Sequence, residues 1–452
     1  MRTMLGTIAL AATLLLAGSS LARDAITPAT VAKLTAEVRA KPEAGAAVVA
    51  TLNKDAAVSI TGQQGLWFKL ALDGGKTGYV RVNEVRMVFA KAETGGIGKA
   101  LFTGKAGKGR VSETASVRGL DESALKAASF DAAQLERMES YRASREQAEA
   151  AAAKRGWTAT QLAYADEFDP EAKARKGGKQ GKPEKAAASQ SEKRERFGFA
   201  RGVLSQVGGA IGGVVASGEK LIGKSEQEIS EEELALGPLI AGRVLGAAPL
   251  VKDPPMQQRV NLIGRWMASR TTRPDLPWTF GVVDDAEINA FAAPGGYILI
   301  TRGLYQMLES DAEVAAVLGH EISHVVQRDH YNVVRKQEVQ GVGRELLASR
   351  VSTGGGVAGG LAREYVERNG AAIMLTQLDR DAEYRADHAA GVYLARAGTN
   401  PLALYAVLQK MTALGSSSPR MTQLYRTHPP LDKRLDALDR TQGGALAPYM
   451  TR

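Results

Sequence analysis

The feature that most constrains this chain is a pair of histidines four residues apart, His320 and His324, in a segment with a helical pattern. Ser310 precedes the segment and Glu313 follows three residues later, which predicts a capped helix N-terminus. Apolar residues recur behind this cap at the spacing of one helix face. On such a helix the two imidazoles project from the same face, so that both can bind one tetrahedral ion. The segment is therefore expected to be a helix that lies against a metal site.

Glu321 indicates that this metal site is catalytic. It lies about 100° around the helix from His320, too far round to be a ligand but beside the open position of the ion. This is the H-E-x-x-H arrangement of zinc peptidases, in which the glutamate acts as the base. The chain has no cysteine, so its metal ligands have to be His, Asp or Glu, and all five of its histidines lie in the last 133 residues. We expect one Zn²⁺ per chain, with Glu321 as a catalytic residue.

Catalytic zinc keeps three protein ligands, so a third ligand is required. His330 has the spacing of a third histidine ligand, but that pattern needs a glycine at position 327 to break the helix. Gln327 instead favours a continuing helix, on which His330 would point away from the metal. Glu383 and Asp387 lie four residues apart on a second predicted helix, where one carboxylate can bind the metal and the other can accept a hydrogen bond from a ligand imidazole. We expect Glu383 to be the third ligand and Asp387 to be the hydrogen-bond partner, with a solvated charged helix face as the alternative.

Four motifs in a fixed order resemble the HtpX- and BepA-like zinc metallopeptidases, relatives of the CAAX prenyl proteases. They are Asn289 to Gly296 followed by Tyr297 to Ile300, Gly319 to His324, Asp381 to Asp387, and His428-Pro429-Pro430 with Arg434. The resemblance covers about residues 230 to 440. It implies zinc endopeptidase activity, with His320, His324 and Glu383 as ligands and Glu321 as base.

The same resemblance implies further residues of the cleft. The strand after Gly296 is expected to be the edge that holds substrate, since an edge strand offers unpaired backbone groups to an extended peptide and glycine permits close approach. Asn289, Gly296 and Arg434 are therefore expected to contact substrate. His428 is expected to be catalytic, stabilising the oxyanion of the tetrahedral intermediate. A histidine before Pro-Pro can equally end and cap a helix, and this alternative stays open.

A separate pattern occupies the region from about Ala36 to Ala90, where short alternating runs are divided by turn signals. Several short strands in so few residues predict a small barrel. The segment resembles a bacterial SH3-like domain in Val38-Arg39-Ala40-Lys41-Pro42, in Trp67 and in Gly78-Tyr79-Val80. Relatives of this type bind cell-wall peptide or act as docking modules. A barrel that only packs on its own chain fits the residues equally well.

The first residues predict an export signal. Arg2 supplies a positive charge, the run from Met4 to Leu16 is apolar, and Ser20-Leu21-Ala22 is a cleavage site. The apolar run is shorter than the ~20 residues of a spanning helix, which makes an uncleaved anchor the weaker interpretation. An exported chain without cysteine fits a bacterial periplasm.

The net charge of +9 is unevenly distributed. Between Glu171 and Arg196 there are nine Lys or Arg against four Glu, so that more than half of the excess lies in one Gly- and Ala-rich stretch. Such a composition predicts a solvated tether, with contact to anionic lipid or cell wall as the alternative. No aromatic residues interleave with these charges, which argues against a nucleic-acid partner. The glycine-dense segment from Phe197 to Gly223 is expected to be a connector rather than a membrane helix.

Together these patterns predict a multidomain α+β protein in which a small all-β SH3-like barrel precedes a mainly helical zincin-type peptidase domain with a small sheet. The expected division is a signal peptide at 1–22, the barrel at 30–92, a helical segment at 93–170, a basic and Gly-rich linker at 171–227 and the zinc metallopeptidase domain at 228–452. The expected function is hydrolysis of polypeptides in the cell envelope, as part of protein quality control. The alternative is a latent or chaperone-like binding protein that docks on the cell wall, and a cell-wall amidase is a weaker enzymatic rival.

Overall fold

The structure, a computed structural model, describes residues 27–88, 120, 122–168, 226–336, 374–375, 377–414, 418–441 and 444–450. The predicted signal peptide and the predicted linker up to residue 225 lie outside these ranges. Within them the chain forms an all-β barrel followed by a mainly helical region with a small sheet, which confirms the predicted fold class. None of the described helices is both long enough and apolar enough to cross a lipid bilayer.

The barrel consists of seven short antiparallel strands. They are β1 (Thr27–Val31), β2 (Thr35–Arg39), β3 (Val48–Asn53), β4 (Ala57–Gln64), β5 (Trp67–Ala71), β6 (Thr77–Arg81) and β7 (Val85–Met87). Their order in the sheet is β3-β2-β6-β5-β4-β1-β7. Alternate residues such as Val38, Leu70 and Val80 are fully buried, because successive side chains of a strand point to opposite faces.

The helical region contains the remaining elements. Its helices are α1 (Glu122–Ala127), α2 (Ala132–Ser140), α3 (Arg145–Lys154), α4 (Glu226–Ala247), α5 (Pro254–Ala268), α6 (Arg302–Tyr305), α7 (Asp311–Val326), α8 (Arg380–Ala397), α9 (Ala403–Leu414), α10 (Thr422–Thr427) and α11 (Leu431–Thr441). Its strands are β8 (Thr279–Val283), β9 (Ala290–Ala293) and β10 (Tyr297–Thr301). Helices α2 and α3 pack on α4 and α5 respectively, so the segment before the linker shares the core of the region after it.

The small sheet has the order β8-β10-β9, with β10 parallel to β8 and antiparallel to β9. The strand that follows Gly296 is thus the central strand of the sheet, and the expectation that it is the edge is wrong. Among the described strands, β9 is the edge that also packs on α7.

Helix α7 begins as predicted, because the Ser310 hydroxyl accepts a hydrogen bond from the Glu313 amide at 3.2 Å. The Glu313 carboxylate accepts from the Glu309 amide and pairs with Lys410, instead of reaching back to Ser310. Helix α8 packs directly on α7 at Gly319, where a Cβ would lie at an ordinary contact distance of 3.6 Å from the backbone of Ala390. This close packing brings the carboxylates of α8 towards the histidines of α7.

The barrel packs directly on α9 and α11 of the helical region. The Gln409 side-chain amide of α9 donates to the carbonyl groups of Val82 and Val85, at 2.8 and 3.3 Å. Apolar residues of the barrel and of the helical region form one continuous buried cluster. Packing on its own chain, one of the two alternatives considered for the barrel, is therefore observed.

Candidate metal centre

Two helices bring the three predicted ligands together. Helix α7 presents His320 and His324 with their Nε2 atoms 3.2 Å apart, and α8 places the Glu383 carboxylate 3.7 and 3.8 Å from these two nitrogens. All three side chains are buried. Nitrogens bound to one tetrahedral ion at ~2.0–2.1 Å would lie about 3.3 Å apart, so the spacing matches a shared ion.

The outer nitrogens of both imidazoles bind carboxylates. His320 Nδ1 lies 2.9 Å from Asp387 Oδ1, and His324 Nδ1 lies 2.9 Å from Asp329 Oδ2. An ionised carboxylate only accepts hydrogen bonds, so each Nδ1 carries a proton and each neutral ring keeps its Nε2 lone pair. Two facing lone pairs would repel at this distance, so a proton or a metal cation has to lie between the two Nε2 atoms.

The third group strengthens this argument. In the described part of the chain, Glu383 Oε2 is buried and has no hydrogen-bond partner. Two imidazole nitrogens and one unsatisfied carboxylate oxygen converge on one point, which is a donor set suited to a tetrahedral divalent ion. The residues present therefore fit a bound metal.

The electrostatics of the cluster favour a positive charge among its carboxylates. Burial, with the nearby Arg434 guanidinium, lowers the pKa of His320 to about 4. Burial opposes charge on His324 too, but the carboxylates of Asp329 and Glu383 raise its pKa to about 9. Burial also raises the pKa of Glu383 to about 7. At neutral pH His324 therefore carries a proton, and its positive charge lies between the carboxylates of Asp329 and Glu383.

Glu321 lies beside this cluster, as its position on α7 predicts. Its side chain lines two cavities, one on each side of the metal centre. One cavity is walled by apolar residues of α9, including Leu404, Leu408 and Met411, and the other by Met374, Leu378 and His330. Burial raises the pKa of the Glu321 carboxyl, which suits a group that takes up a proton and returns it.

Asp387 is held from the opposite side by Arg434 of α11. The guanidinium donates to both carboxylate oxygens, at 2.9 and 2.6 Å, and is itself buried. Burial would raise the pKa of Asp387, but the bound Arg434 holds it well below its usual range. Arg434 lines one of the cavities, yet two of its N–H groups are used to orient Asp387. The structure thus places Arg434 as a support for His320, in addition to the expected place in the cleft.

His428 ends α10 and also faces the metal centre. Its backbone amide donates to the Leu424 carbonyl at the helix end, while its Nε2 lies 3.7 Å from Glu383 Oε2. His320, Glu383 and His428 each offer an atom within 4.8 Å of the others. Its Nδ1 lies 2.8 Å from the Thr427 hydroxyl, so Nε2 carries a proton when that hydroxyl donates and a lone pair when it accepts. Both alternatives for His428, a helix end and a group of the site, are observed together.

The two remaining predicted substrate residues have contacts inside the fold. The Asn289 side chain is buried and accepts a hydrogen bond from the Ala290 amide at 3.0 Å. Gly296 has φ +98, and a Cβ there would lie 3.4 Å from the backbone of Trp278. The positive φ, which residues with a Cβ rarely adopt, is therefore a backbone reason for glycine at position 296.

Helix α7 does not continue through Gln327, contrary to the sequence-based expectation. It ends at Val326, Arg328 has φ +60, and residues 329–336 form a new helical turn. His330 consequently lines a cavity, with its ring centroid 6.0 Å from that of His324. Among the described residues, the group with metal-ligand spacing is His320, Glu383 and His428; it includes neither His330 nor His324, although His324 Nε2 lies 3.2 Å from His320 Nε2.

Sequence reasoning missed Asp329, the partner of His324. Arg385 of α8 donates to its second oxygen at 2.9 Å, so this carboxylate connects both metal-binding helices. An acidic residue five positions after the second histidine was the available signal. On the continuing helix that Gln327 predicts, Asp329 would point away from His324.

Comparison with known proteins agrees with this geometry. Residues 254–442 match peptidase family M48, and residues 35–85 match the bacterial SH3 domain. The chain is 29% identical over 227 residues to the beta-barrel assembly-enhancing protease of Yersinia pestis, and 30% identical over 217 residues to that of Escherichia coli. These alignments cover 49% and 46% of this chain, and 46% and 44% of the relatives.

More distant relatives include the metalloprotease LoiP of Escherichia coli, 28% identical over 34% of this chain and 58% of LoiP. The mitochondrial metalloendopeptidase OMA1 of Arabidopsis thaliana is 30% identical over 35% of this chain and 30% of OMA1. The chain thus spans about half the length of the curated relatives it matches, or less. The segment that matches peptidase family M48 includes every residue of the metal centre, and the segment that matches the bacterial SH3 domain lies in the barrel.

Proposed function

We propose that this protein is a zinc-dependent metalloendopeptidase that hydrolyses polypeptides in the bacterial cell envelope. The observation that carries the proposal is the convergence of His320 Nε2, His324 Nε2 and the unpartnered Glu383 carboxylate, with Glu321 beside them. These three groups would hold the zinc ion. When bound, zinc polarises the scissile carbonyl and lowers the pKa of a water molecule to about 7.

Glu321 is the base that this reaction needs. Its carboxylate takes a proton from the attacking water and later gives it to the leaving amine, and its raised pKa makes it a stronger base for the first transfer. His428 supports the reaction in the tautomer that directs an Nε2–H into the site, where it can donate to the developing oxyanion. Thr427 selects that tautomer when its single hydroxyl proton is donated to Nδ1 and not to the Gln423 carbonyl, 3.1 Å away.

An extended polypeptide is the substrate class that fits the fold best. The Thr301 amide donates to the Asn289 carbonyl, which sets the alternation of hydrogen bonds between β9 and β10. By this alternation the backbone groups of Ala290 face away from β10, and Ala290 lines both cavities beside Glu321. The Ala290 amide already donates to Asn289 Oδ1, so a peptide that donates to the Ala290 carbonyl would pass across the metal centre.

Protein quality control in the periplasm is the physiological setting that we propose. The signal-like N-terminus and the absence of cysteine support export. The names of the two most similar relatives given above, both beta-barrel assembly-enhancing proteases, support a role in the envelope. Cell fractionation, together with sequencing of the mature N-terminus, tests the export, and a cytoplasmic protein with an intact N-terminus would contradict it.

The activity is tested with purified protein, casein as substrate and the Glu321→Gln variant. We expect the unaltered protein to cleave casein and to stop when a zinc chelator is added. Glu321→Gln should retain one zinc ion per chain but lose at least about 100-fold in turnover, because the amide cannot accept the proton. Full activity of this variant would refute the assignment of Glu321. Zinc binding by the unaltered protein without any cleavage would favour the chaperone-like alternative.

A further inference from the structure

The turn at the end of α7 has a conformation that its residues do not favour. Arg328 adopts φ +60, in the left-handed region that residues with a Cβ rarely occupy. Gln327 before it is a good helix former, and the chain is helical again from residue 329. Contacts from elsewhere in the fold must therefore impose the turn.

The turn determines where Asp329 lies. On an uninterrupted helix Asp329 would be about 140° around the axis from His324, and its carboxylate could not reach that ring. After the turn, Asp329 Oδ2 lies 2.9 Å from His324 Nδ1. The break in the helix is thus the feature that gives His324 its carboxylate partner.

Helix α4 holds the turn through the Arg328 side chain. The buried guanidinium donates from Nε to Glu233 Oε2 and from an η nitrogen to the Ser230 hydroxyl, both at 3.0 Å. It also lies over the ring of Phe168, with 4.8 Å between the guanidinium carbon and the ring centroid. Each contact pulls Arg328 away from the path of a continuing helix.

Glu233 is also connected to the end of α7 through a second arginine. Its fully buried carboxylate accepts two hydrogen bonds from Arg273, at 2.9 and 2.6 Å. Arg273 in turn donates to the carbonyl of Val325 in the last turn of α7, at 2.9 Å. A helix end leaves such carbonyls unsatisfied, so this bond marks where α7 stops. Through two arginines, one carboxylate holds both the last turn of α7 and the residue that breaks the helix.

We propose that Glu233 is a positioning residue for the metal centre, which acts through Arg328 to hold Asp329 against His324. The inference rests on the proposed role of His324 as a metal ligand. Among the described contacts, Glu233 touches no predicted metal ligand and lines neither of the two cavities beside Glu321. It is linked to His324 through Arg328 and Asp329. Its effect is expected on the affinity for zinc, because a partner that orients a ligand imidazole typically changes metal affinity 10- to 100-fold.

The test measures zinc affinity of the whole purified chain by competition with a chelator, in Glu233→Gln, Asp329→Asn and the double variant. We expect each single variant to bind zinc about 10- to 100-fold more weakly. Because Glu233 acts through Asp329, adding Glu233→Gln to Asp329→Asn should weaken binding by less than about 2-fold further. Purely structural damage would instead multiply the two effects.

Glu313→Gln is a matched control, since it removes a carboxylate that pairs with Lys410 at the other end of α7. Its zinc affinity should stay within about 2-fold of the unaltered protein. If Glu233→Gln does not fold, Ser230→Ala replaces it, because this change removes one bond from Arg328 and leaves the buried carboxylate in place. It should still weaken zinc binding, by several-fold.

Two results would overturn this inference and leave the proposed function intact. One is unchanged zinc affinity in Glu233→Gln and Ser230→Ala while the unaltered protein binds zinc, and the other is multiplication of the effects of Glu233→Gln and Asp329→Asn. Failure of the unaltered protein to bind zinc would overturn the proposed function as well. The two failures are therefore distinguishable.

Discussion

At the scale of single residues, the metal centre is defined by which nitrogen of each histidine carries a proton. Asp387 and Asp329 come from different parts of the chain, yet each accepts a hydrogen bond from the Nδ1–H of one imidazole. Both are supported by an arginine, Arg434 for Asp387 and Arg385 for Asp329. Each ligand histidine is thus oriented by a carboxylate that is itself oriented, which pre-organises both Nε2 atoms before a metal arrives.

Glu383→Ala tests the composition of the ligand set. Removing this carboxylate leaves two nitrogens to hold the ion, so we expect zinc affinity to fall at least about 100-fold in a chelator competition. His330→Ala is the control, because His330 lines the same cavity as Glu383 but is not one of the predicted ligands. Its zinc affinity should remain within about 3-fold of the unaltered protein. The reverse pattern, loss with His330→Ala and none with Glu383→Ala, would assign the third ligand to His330.

At the scale of secondary structure, the helices and strands of the site follow from local patterns, but the end of α7 does not. The Ser310 cap and the spacing of His320 and His324 are encoded within a few residues, and α7 forms as they predict. The break after Gln327 does not follow from local preference. Helix propensities differ by only tenths of a kcal/mol between ordinary residues, so contacts elsewhere in the fold can override them. A bond from Arg328 to a buried carboxylate 95 residues earlier outweighs that preference. Contacts over such separations leave no periodic signal in the sequence.

The position of the edge strand was a second limit. The residues from Tyr297 to Ile300 are correctly predicted as a strand, but all of them are buried, and β10 is paired on both sides. Strand order depends on which partners a strand finds, and the sequence of one strand does not contain that information. β9, with its small residues Ala290, Ala292 and Ala293, is the edge beside the cleft.

Ala290→Leu tests whether β9 receives the substrate. Ala290 is half-buried and lines both cavities, so a larger side chain should occupy the path of the peptide. We expect kcat/KM for a peptide to fall at least about 10-fold, with zinc affinity unchanged. Retention of full peptide hydrolysis would show that substrate enters elsewhere, and a loss of zinc would show that the change disturbs the metal centre itself.

At the scale of the whole molecule, α11 connects the barrel to the metal centre. Its residues Asp432, Asp436 and Asp439 pair with Arg86, Lys33 and Arg81 of the barrel, at 3.1, 2.7 and 2.5 Å. Arg434 lies about 200° around the helix from Asp432 and faces Asp387 instead. The strands of the barrel were predictable from their alternation. Its docking was not, because it depends on apolar, polar and charged partners that are far apart in sequence.

Gln409→Ala tests whether the barrel and the peptidase region are one cooperative unit. Gln409 is buried, and its loss would leave the carbonyl groups of Val82 and Val85 without this donor. An unsatisfied buried polar group costs about 1–3 kcal/mol, so the free energy of unfolding in urea should fall by that amount. Hydrogen exchange should rise in the barrel and in α11 together, since α11 is held from the barrel side. Gln63→Ala is the control, because Gln63 is exposed and donates only to Gly65 within the barrel, and it should change neither quantity. Faster exchange confined to the barrel, with α11 still protected, would mean that the metal centre is stable without its SH3 domain.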